Sequence, residues 1–350
     1  MKILVTGGAG FIGVNLVRFL LGKTGHSVVN FDKLTYAGNQ RSLRDVEQDP
    51  SYSFVLGDLA DAEAVRRIFP AYRPGAVIHL AAESHVDRSI DGPGEFIGSN
   101  VVGTFNLLQA ALGWWRESGR PGSFRFVHVS TDEVYGSLEP AGTAFSEDSR
   151  YDPRSPYSAS KAAADHLVRA WQTTYGLPVV VTHCSNNYGP YQFPEKLIPL
   201  VILKCLREEP IPVFGTGENI RDWLYVEDHC AALLAVLDRG RVGRTYNIGG
   251  DNELSNIALV RTICRLLDEL HPRQSRAKHS DLIRFVADRP GHDFRYAIDA
   301  RRIHEELGWR PATEFAAGLR KTVCWYLEHP EWLESVLSGD YRLERLGLGY

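Results

Sequence analysis

The sequence predicts an α/β protein: a Rossmann-like, doubly wound parallel sheet with a smaller, interleaved C-terminal substrate-binding domain. Three observations predict it. The first half alternates short apolar, β-branched runs with longer helical patterns, as expected of strands buried on both faces by crossover helices. A glycine-rich turn, Gly7-Gly8-Ala9-Gly10-Phe11-Ile12-Gly13, directly follows the first run and opens a helical pattern. Beyond about Asn186 the pattern loosens. Pro190, Pro194, Pro199, Pro210 and Pro212 punctuate the chain, followed by Gly215 and Gly217, as in a loop-rich second portion.

Taken in order, Ile3–Val5, Val28–Phe31, Phe54–Leu56, Ala76–Leu80, Phe126–Ser130 and Val179–His183 each read as a strand. All are short and mainly apolar rather than alternating. Helical patterns lie between them at Val14–Leu21, Ala62–Phe69, Val102–Arg116 and Tyr157–Tyr175. Ser155 is placed to cap the last, with Pro156 in its first turn, where a missing N–H breaks no helical bond. The chain is expected to re-enter the main domain near 223–250, where Asp228 precedes an apolar helical run. The domain expectation is therefore a dinucleotide-binding portion over 1–185 with this re-entry, and a mainly substrate-binding portion over 186–350.

Composition narrows the class of function. The chain has 350 residues, 44% hydrophobic and 23% charged, which is ordinary for a globular protein with a sizeable core. A formal charge of −4 offers no electrostatic ground for nucleic-acid binding. The five cysteines are scattered, odd in number and form no C-x-x-C pair, and no histidine–cysteine spacing suggests a metal. Reduced thiols in the cytoplasm are expected. Ile3-Leu4-Val5 is too short for a secretory segment, and no run approaches the ~20 apolar residues that span a bilayer.

The glycine turn carries the first chemistry. Glycines here permit a tight turn, close approach of backbone to a pyrophosphate, and close packing of helix on strand. The helix start then offers N–H groups and partial positive charge to phosphate. Asp32 ends the second strand, where a carboxylate binds ribose hydroxyls and repels a 2′-phosphate; NAD is expected over NADP, with Lys33 and Arg41 opposing that preference. A loop-capping role for Asp32 stays open. Asp58 and Leu59 are placed to contact adenine, and Leu80-Ala81-Ala82 to let the cofactor pass close to backbone.

Tyr157 and Lys161 are four apart and share a helix face. An adjacent ammonium favours phenolate, so Tyr157 is a candidate base for a substrate hydroxyl; an ordinary exposed pair is the alternative. After the fifth strand comes Thr131-Asp132-Glu133. Two adjacent carboxyls in different environments can serve as acid and base; two solvated loop carboxylates are the plainer reading.

These motifs together resemble the extended short-chain dehydrogenase/reductase superfamily over nearly the whole chain, and within it the dTDP-glucose 4,6-dehydratases. The resemblance lies in Thr6–Gly13, the segment Asp32 to Asn39, Ala81 to Ser89, Ser130–Gly136, Cys184–Pro199, Arg221-Asp222-Trp223 and Asp288 to Asp293. It implies NAD held by Gly7, Gly10, Phe11, Ile12, Gly13, Asp32, Lys33, Leu34, Thr35, Asp58, Leu59, Leu80, Ala81, Ala82, Ser84, Ser99 and Asn187, with Tyr157 and Lys161. For a sugar nucleotide, dTDP-glucose, it implies Ser84, Thr131, Asn186, Lys196, Leu197, Pro212, Phe214, Arg221, Asn256, Arg289 and His292. Glu195 to Pro199 would lie along the diphosphate, and Arg221 and Arg289 would pair with its oxygens, a task suited to guanidinium. Ser99 and Phe214 depart from the common threonine and tyrosine.

The implied reaction oxidises the glucosyl C4 with Tyr157 and Lys161, removes the C5 proton with Glu133, and expels water with Asp132 as acid. Thr131 would position the 4-oxygen. The resemblance also implies a homodimer through helices Val102–Arg116 and Tyr157–Tyr175, whose Trp114, Trp115, Leu167 and Trp171 spread over several faces; packing within the monomer is the alternative. Three further functions compete: a sugar-nucleotide 4-epimerase, which needs neither Asp132 nor Glu133, a dehydratase of another nucleotide sugar, and a non-enzymatic dinucleotide sensor.

Overall fold

The computed structural model describes residues 1–288 and 291–337. Its strands are β1 (Lys2–Thr6), β2 (Ser27–Asp32), β3 (Tyr52–Leu56), β4 (Ala76–His79), β5 (Arg125–Thr131), β6 (Val179–Cys184), β7 (Asn186–Tyr188), β8 (Ile211–Phe214), β9 (Ile220–Tyr225), β10 (Thr245–Ile248), β11 (Glu253–Ser255) and β12 (Ile283–Val286). Seven of them form one parallel sheet in the order β10-β6-β5-β4-β1-β2-β3. Chain order reverses between β1 and β4, which opens a crevice beyond their carboxyl ends. The glycine turn, Leu80 and Thr131 therefore emerge on one rim.

Both faces of the sheet are covered. Helices Phe11–Lys23 and Val226–Arg239 pack one core against β1, β5 and β6 through residues such as Leu16, Leu20, Leu233 and Val236. Helices Ala62–Tyr72, Gly103–Glu117 and Pro156–Tyr175 pack the other face through Ile68, Leu107 and Val168. Burial on both sides explains why the strands are largely apolar rather than alternating.

Local chemistry sets the helix ends. Asp61 caps Ala62–Tyr72 by accepting from the Glu63 and Ala64 N–H groups. Ser155 and Ser158 form a capping box around Pro156, and Gly176 at φ +75° closes the same helix. That cap places Tyr157 and Lys161 in the first two turns, over the end of β5.

The remaining chain builds a second core from helices Leu197–Leu206, Asn256–Leu270 and Phe315–Glu328. Two small sheets, β11-β9-β7 and β12-β8, contribute to it through Tyr188, Val213 and Trp223. The seventh main-sheet strand, β10, had no counterpart among the expected strands. Its four residues, Thr-Tyr-Asn-Ile, are too short and mixed to stand out, and only pairing with β6 makes them a strand. Trp114, Trp115, Leu167 and Trp171 pack within the monomer, against the core under the sheet, so they do not form a free face. The apolar side chains left exposed near these helices are Ile97, Val102, Phe105 and Tyr175. No helix among the described residues is long and apolar enough to cross a membrane.

Candidate active site

Packing explains two of the glycines. Gly7 has φ +74°, and a Cβ there would lie 2.6 Å from Ala81 Cα. A Cβ on Gly13 would collide with Gly7 O and Gly8 Cα. Gly10 differs, because its nearest neighbour would be 3.5 Å away. Glycine is not needed there for packing; a side chain would occupy the cleft that Gly10 lines. The helix that follows has no side-chain cap and no acidic residue in its first turn, so its positive end faces that space unopposed. These residues fit a dinucleotide's pyrophosphate.

Asp32 does the capping work and also faces the cleft. Its carboxylate accepts from Ala9 N (2.9 Å) and Leu34 N (2.8 Å), which ties the glycine turn to the next loop. Each oxygen retains acceptor capacity for a ribose hydroxyl. Lys33 donates to Ser99 Oγ at 2.8 Å and lies 3.7 and 3.8 Å from Asp58 and Glu83. Two carboxylates thus offset its charge, which removes the opposition that Lys33 posed to a preference for NAD. Phe11, Ile12, Thr35, Asp58, Leu59, Leu80, Ala81, Ala82, Ser84 and Ser99 line the same cleft. Leu34 does not; only its backbone takes part, at φ +54°.

Thr131, Asp132, Glu133, Tyr157 and Lys161 all line this cleft too. The first three leave β5 in a single tight turn, Asp132–Tyr135, capped by Thr131 Oγ1 accepting from Glu133 N. Asp132 is buried; its Oδ1 accepts from Thr131 at 3.4 Å, and its Oδ2 has no hydrogen-bond partner. Burial, then the neighbouring Glu133 and Asp222 charges, push its carboxyl well above the ordinary range, with Arg221 opposing. That direction favours the neutral carboxylic acid, the form that can donate a proton.

The expected effect of Lys161 on Tyr157 needs correction. Burial, Glu133 and Cys184 push the Tyr157 phenol well above its ordinary value, with the Thr131 hydroxyl opposing. Lys161 Nζ instead donates to the Val129 carbonyl at 2.8 Å. Sharing a helix face brings the two residues to one cleft; it does not place ammonium against phenol.

Among the other candidates, Asn186 lines the cleft with a buried, unpartnered Oδ1. Asn187 lines it as well, but its amide is engaged with His229 and the Ser185 carbonyl. Lys196 reaches across the mouth to the Ser84 carbonyl at 2.9 Å. Glu195, expected along the diphosphate, lines the cleft too, and its carboxylate accepts from Tyr36 (3.0 Å) and Arg88 (3.3 Å), bridging the two portions of the chain.

Leu197, Pro212, Phe214, Arg221, Asn256 and His292 do not line this cleft. Backbone bonds from Gly215 to Val286, Ile257 to Gly217 and Asn256 to Asn219 join the segments that carry several of them. Asn256 Oδ1 is buried without a partner, and His292 pairs with Asp288 at 2.7 Å. Arg221 is buried, donates to the Ile220, Asp293 and Phe294 carbonyls, and stacks over Tyr296 at 4.3 Å. Arg289 lies outside the described residues.

One buried group escaped notice in the sequence. Asp165, eight residues past Tyr157, accepts from His128, Ser130, Tyr151 and His183. The available signal was a histidine inside each of two apolar strands, β5 and β6.

The model of the GDP-mannose 4,6-dehydratase family matches residues 4–322. The dTDP-glucose 4,6-dehydratase of Neisseria meningitidis serogroup B is 59% identical over 352 aligned positions, covering 99% of each chain. Among solved structures, DesIV, the dTDP-glucose 4,6-dehydratase of Streptomyces venezuelae with NAD bound, superposes with a TM-score of 0.87 at 46% identity, covering 96% of this chain and all of that one (100%). UDP-glucose 4-epimerase of Thermotoga maritima shares the fold at a TM-score of 0.83 but only 28% identity, covering 94% and 100%.

Proposed function

The chain belongs to the GDP-mannose 4,6-dehydratase family, and from that premise we propose that it dehydrates dTDP-glucose to dTDP-4-keto-6-deoxyglucose. It is a hydro-lyase that uses NAD without consuming it. The observation that carries this reading is the buried Asp132 carboxyl, adjacent to Glu133 and in one cleft with Tyr157. An epimerase has no step that needs that acid.

When bound, NAD supplies reversible hydride chemistry and a positive ring charge: one hydride leaves C4 and later returns to C6. Gly7, Gly10, Gly13 and Asp32 hold its pyrophosphate and ribose. Tyr157 takes the proton of the 4-hydroxyl at its phenol oxygen, Lys161 lends positive charge to the same cleft without contacting the phenol, and Thr131 positions the oxygen. The 4-ketone then acidifies C5. Glu133 removes that proton, and Asp132 donates its own to the 6-hydroxyl, which departs as water. Glu133 returns a proton to C5. Lys196 and Asn186 are assigned to the nucleotide sugar in the cleft; Arg221, Asn256 and His292 are assigned to the diphosphate and base end. Residues 1–185 with 223–250 form the cofactor portion in this reading, and the rest mainly the sugar-nucleotide portion.

In heavy water the product is expected to carry one solvent deuteron at C5, read by proton NMR of the released sugar. Recovery of the galactose isomer in place of 4-keto product would overturn the dehydratase reading, and 4-keto product without the label would overturn exchange of the C5 proton with solvent through Glu133.

The protein is assigned as a homodimer through Ile97, Val102, Phe105 and Tyr175, which leave exposed apolar area beside the two long helices. Sedimentation at micromolar concentration is expected to show a dimer, and Phe105→Asp a monomer. A monomeric wild type would refute the assignment. A reduced compartment, the cytoplasm, suits five unpaired cysteines.

A further inference from the structure

Lys161 carries its ammonium in a fully buried position, where an unpaired charge is strongly disfavoured. Its one hydrogen bond shown is to a neutral carbonyl, that of Val129. Four groups lie close enough to act on it or feel it. His128 on β5 is pushed down to about 4, by burial first and then by Lys161 itself. His79 on β4 is also held well below the ordinary imidazole range, by burial first. Cys184 on β6 is pushed up to about 12 by burial. Near neutral pH those three are uncharged. The fourth is Asp165, one helical turn beyond Lys161 on the same helix.

Asp165 has no exposed surface, yet both oxygens are satisfied. His128 Nε2 meets Oδ1 at 3.0 Å, while Ser130 Oγ (3.0 Å), Tyr151 Oη (2.9 Å) and His183 Nε2 (3.0 Å) meet Oδ2. His128 Nδ1 is buried without a partner, which fits a neutral ring whose proton sits on Nε2 and points at the carboxylate. Burial opposes ionisation of Asp165, but the bonds from His128 and His183 outweigh it and hold the carboxyl well below its usual range. Arg169 donates to Tyr151 at 2.8 Å and Tyr135 meets His183 at 2.7 Å, which completes the shell. His128 and Ser130 flank Val129, so the residues on either side of the carbonyl that holds Lys161 are bound to one carboxylate.

We propose that Asp165 is the counter-ion of Lys161 and a positioning residue for the active site. Its carboxylate keeps the ammonium charged and clamps the strand end that carries Thr131, Asp132 and Glu133 to the helix that carries Tyr157 and Lys161. It touches neither substrate nor cofactor. The role rests on the dehydratase reading only for its consequence in turnover; the charge state of Lys161 is a property of the folded chain.

The test therefore reads Lys161 directly. In enzyme labelled with ¹³C at lysine Cε, the Lys161 resonance is assigned by its loss in Lys161→Met. It is expected to report an ammonium in the wild type at pH 8. In Asp165→Asn its titration midpoint is expected to fall by about one pH unit or more, the size expected on losing a nearby opposite charge. Asp165→Glu is expected to restore the midpoint. A purely structural role would lower thermal stability and leave the midpoint in place, and that result overturns the proposal. If Asp165→Asn does not fold, the wild type alone decides, because a neutral Lys161 amine at pH 8 overturns it equally. Failure of the dehydratase reading would show separately, as absence of 4-keto product from wild-type enzyme.

Discussion

Replacing Glu133 by Gln is expected to lower kcat about a thousandfold, within the range for losing a general base, while the first oxidation survives. Glu133 is isosteric with Gln, and its backbone N–H still finds Thr131 Oγ1, the cap of the turn. Folding should therefore be little affected. What is lost is the base for the C5 proton. In a single turnover the variant should accumulate reduced cofactor and 4-keto-glucose, without release of water. The same substitution removes a charge that raises Asp132 and Tyr157, so both groups should ionise at lower pH in the variant. Since Asp132 must be protonated to donate, activity exists below its raised pKa and is lost as pH climbs through it. Elimination at the wild-type rate in Glu133→Gln would remove Glu133 from the mechanism.

Tyr157→Phe is expected to cost about a thousandfold or more in kcat, and at an earlier stage. The ring is buried and stacks edge-on against Phe96 at 6.2 Å, contacts that Phe preserves. What is lost is the phenol oxygen alone. Without the phenol no proton leaves the 4-hydroxyl. Neither reduced cofactor nor C5 deuterium exchange should then appear, and KM for dTDP-glucose should change little. The two variants thus separate oxidation from elimination: Glu133→Gln passes the first step, and Tyr157→Phe passes none. More than a tenth of wild-type activity in Tyr157→Phe would assign the base elsewhere.

The site sets two adjacent carboxyls in different environments within one turn. Asp132 and Glu133 are adjacent in sequence, yet one is buried with an unpartnered oxygen and the other is half-buried at the cleft. Desolvation of the first, reinforced by the charge of the second, sets them apart. A dipeptide cannot reveal which member is buried. β5 ends at Thr131, and the tight turn that follows decides it.

Local signals accounted for the doubly wound sheet, the glycine turn and the capped start of the catalytic helix. Each depends on residues near one another in the chain: β-branched runs between helical patterns, glycines at a strand end, serine and proline before Tyr157. Features that depend on distant partners were illegible. β10 exists because β6 is beside it. Arg221 suggests a phosphate ligand by type, but the carbonyls that hold it, some seventy residues away at Asp293 and Phe294, come to it only in the fold. The tryptophans that suggested an interface were claimed by the core.

What the sequence by itself determined is the strand–helix alternation, the place of the dinucleotide turn, and the identity of the groups that gather at the carboxyl edge. Tertiary structure alone decided their protonation and their true partners: Lys161 on Val129 rather than on Tyr157, and Asp165 bonded by histidines from two strands. The reason is physical. Element formation follows short-range sterics and hydrophobic period, whereas a buried group's charge depends on desolvation and on neighbours that only the folded chain brings within a few ångströms.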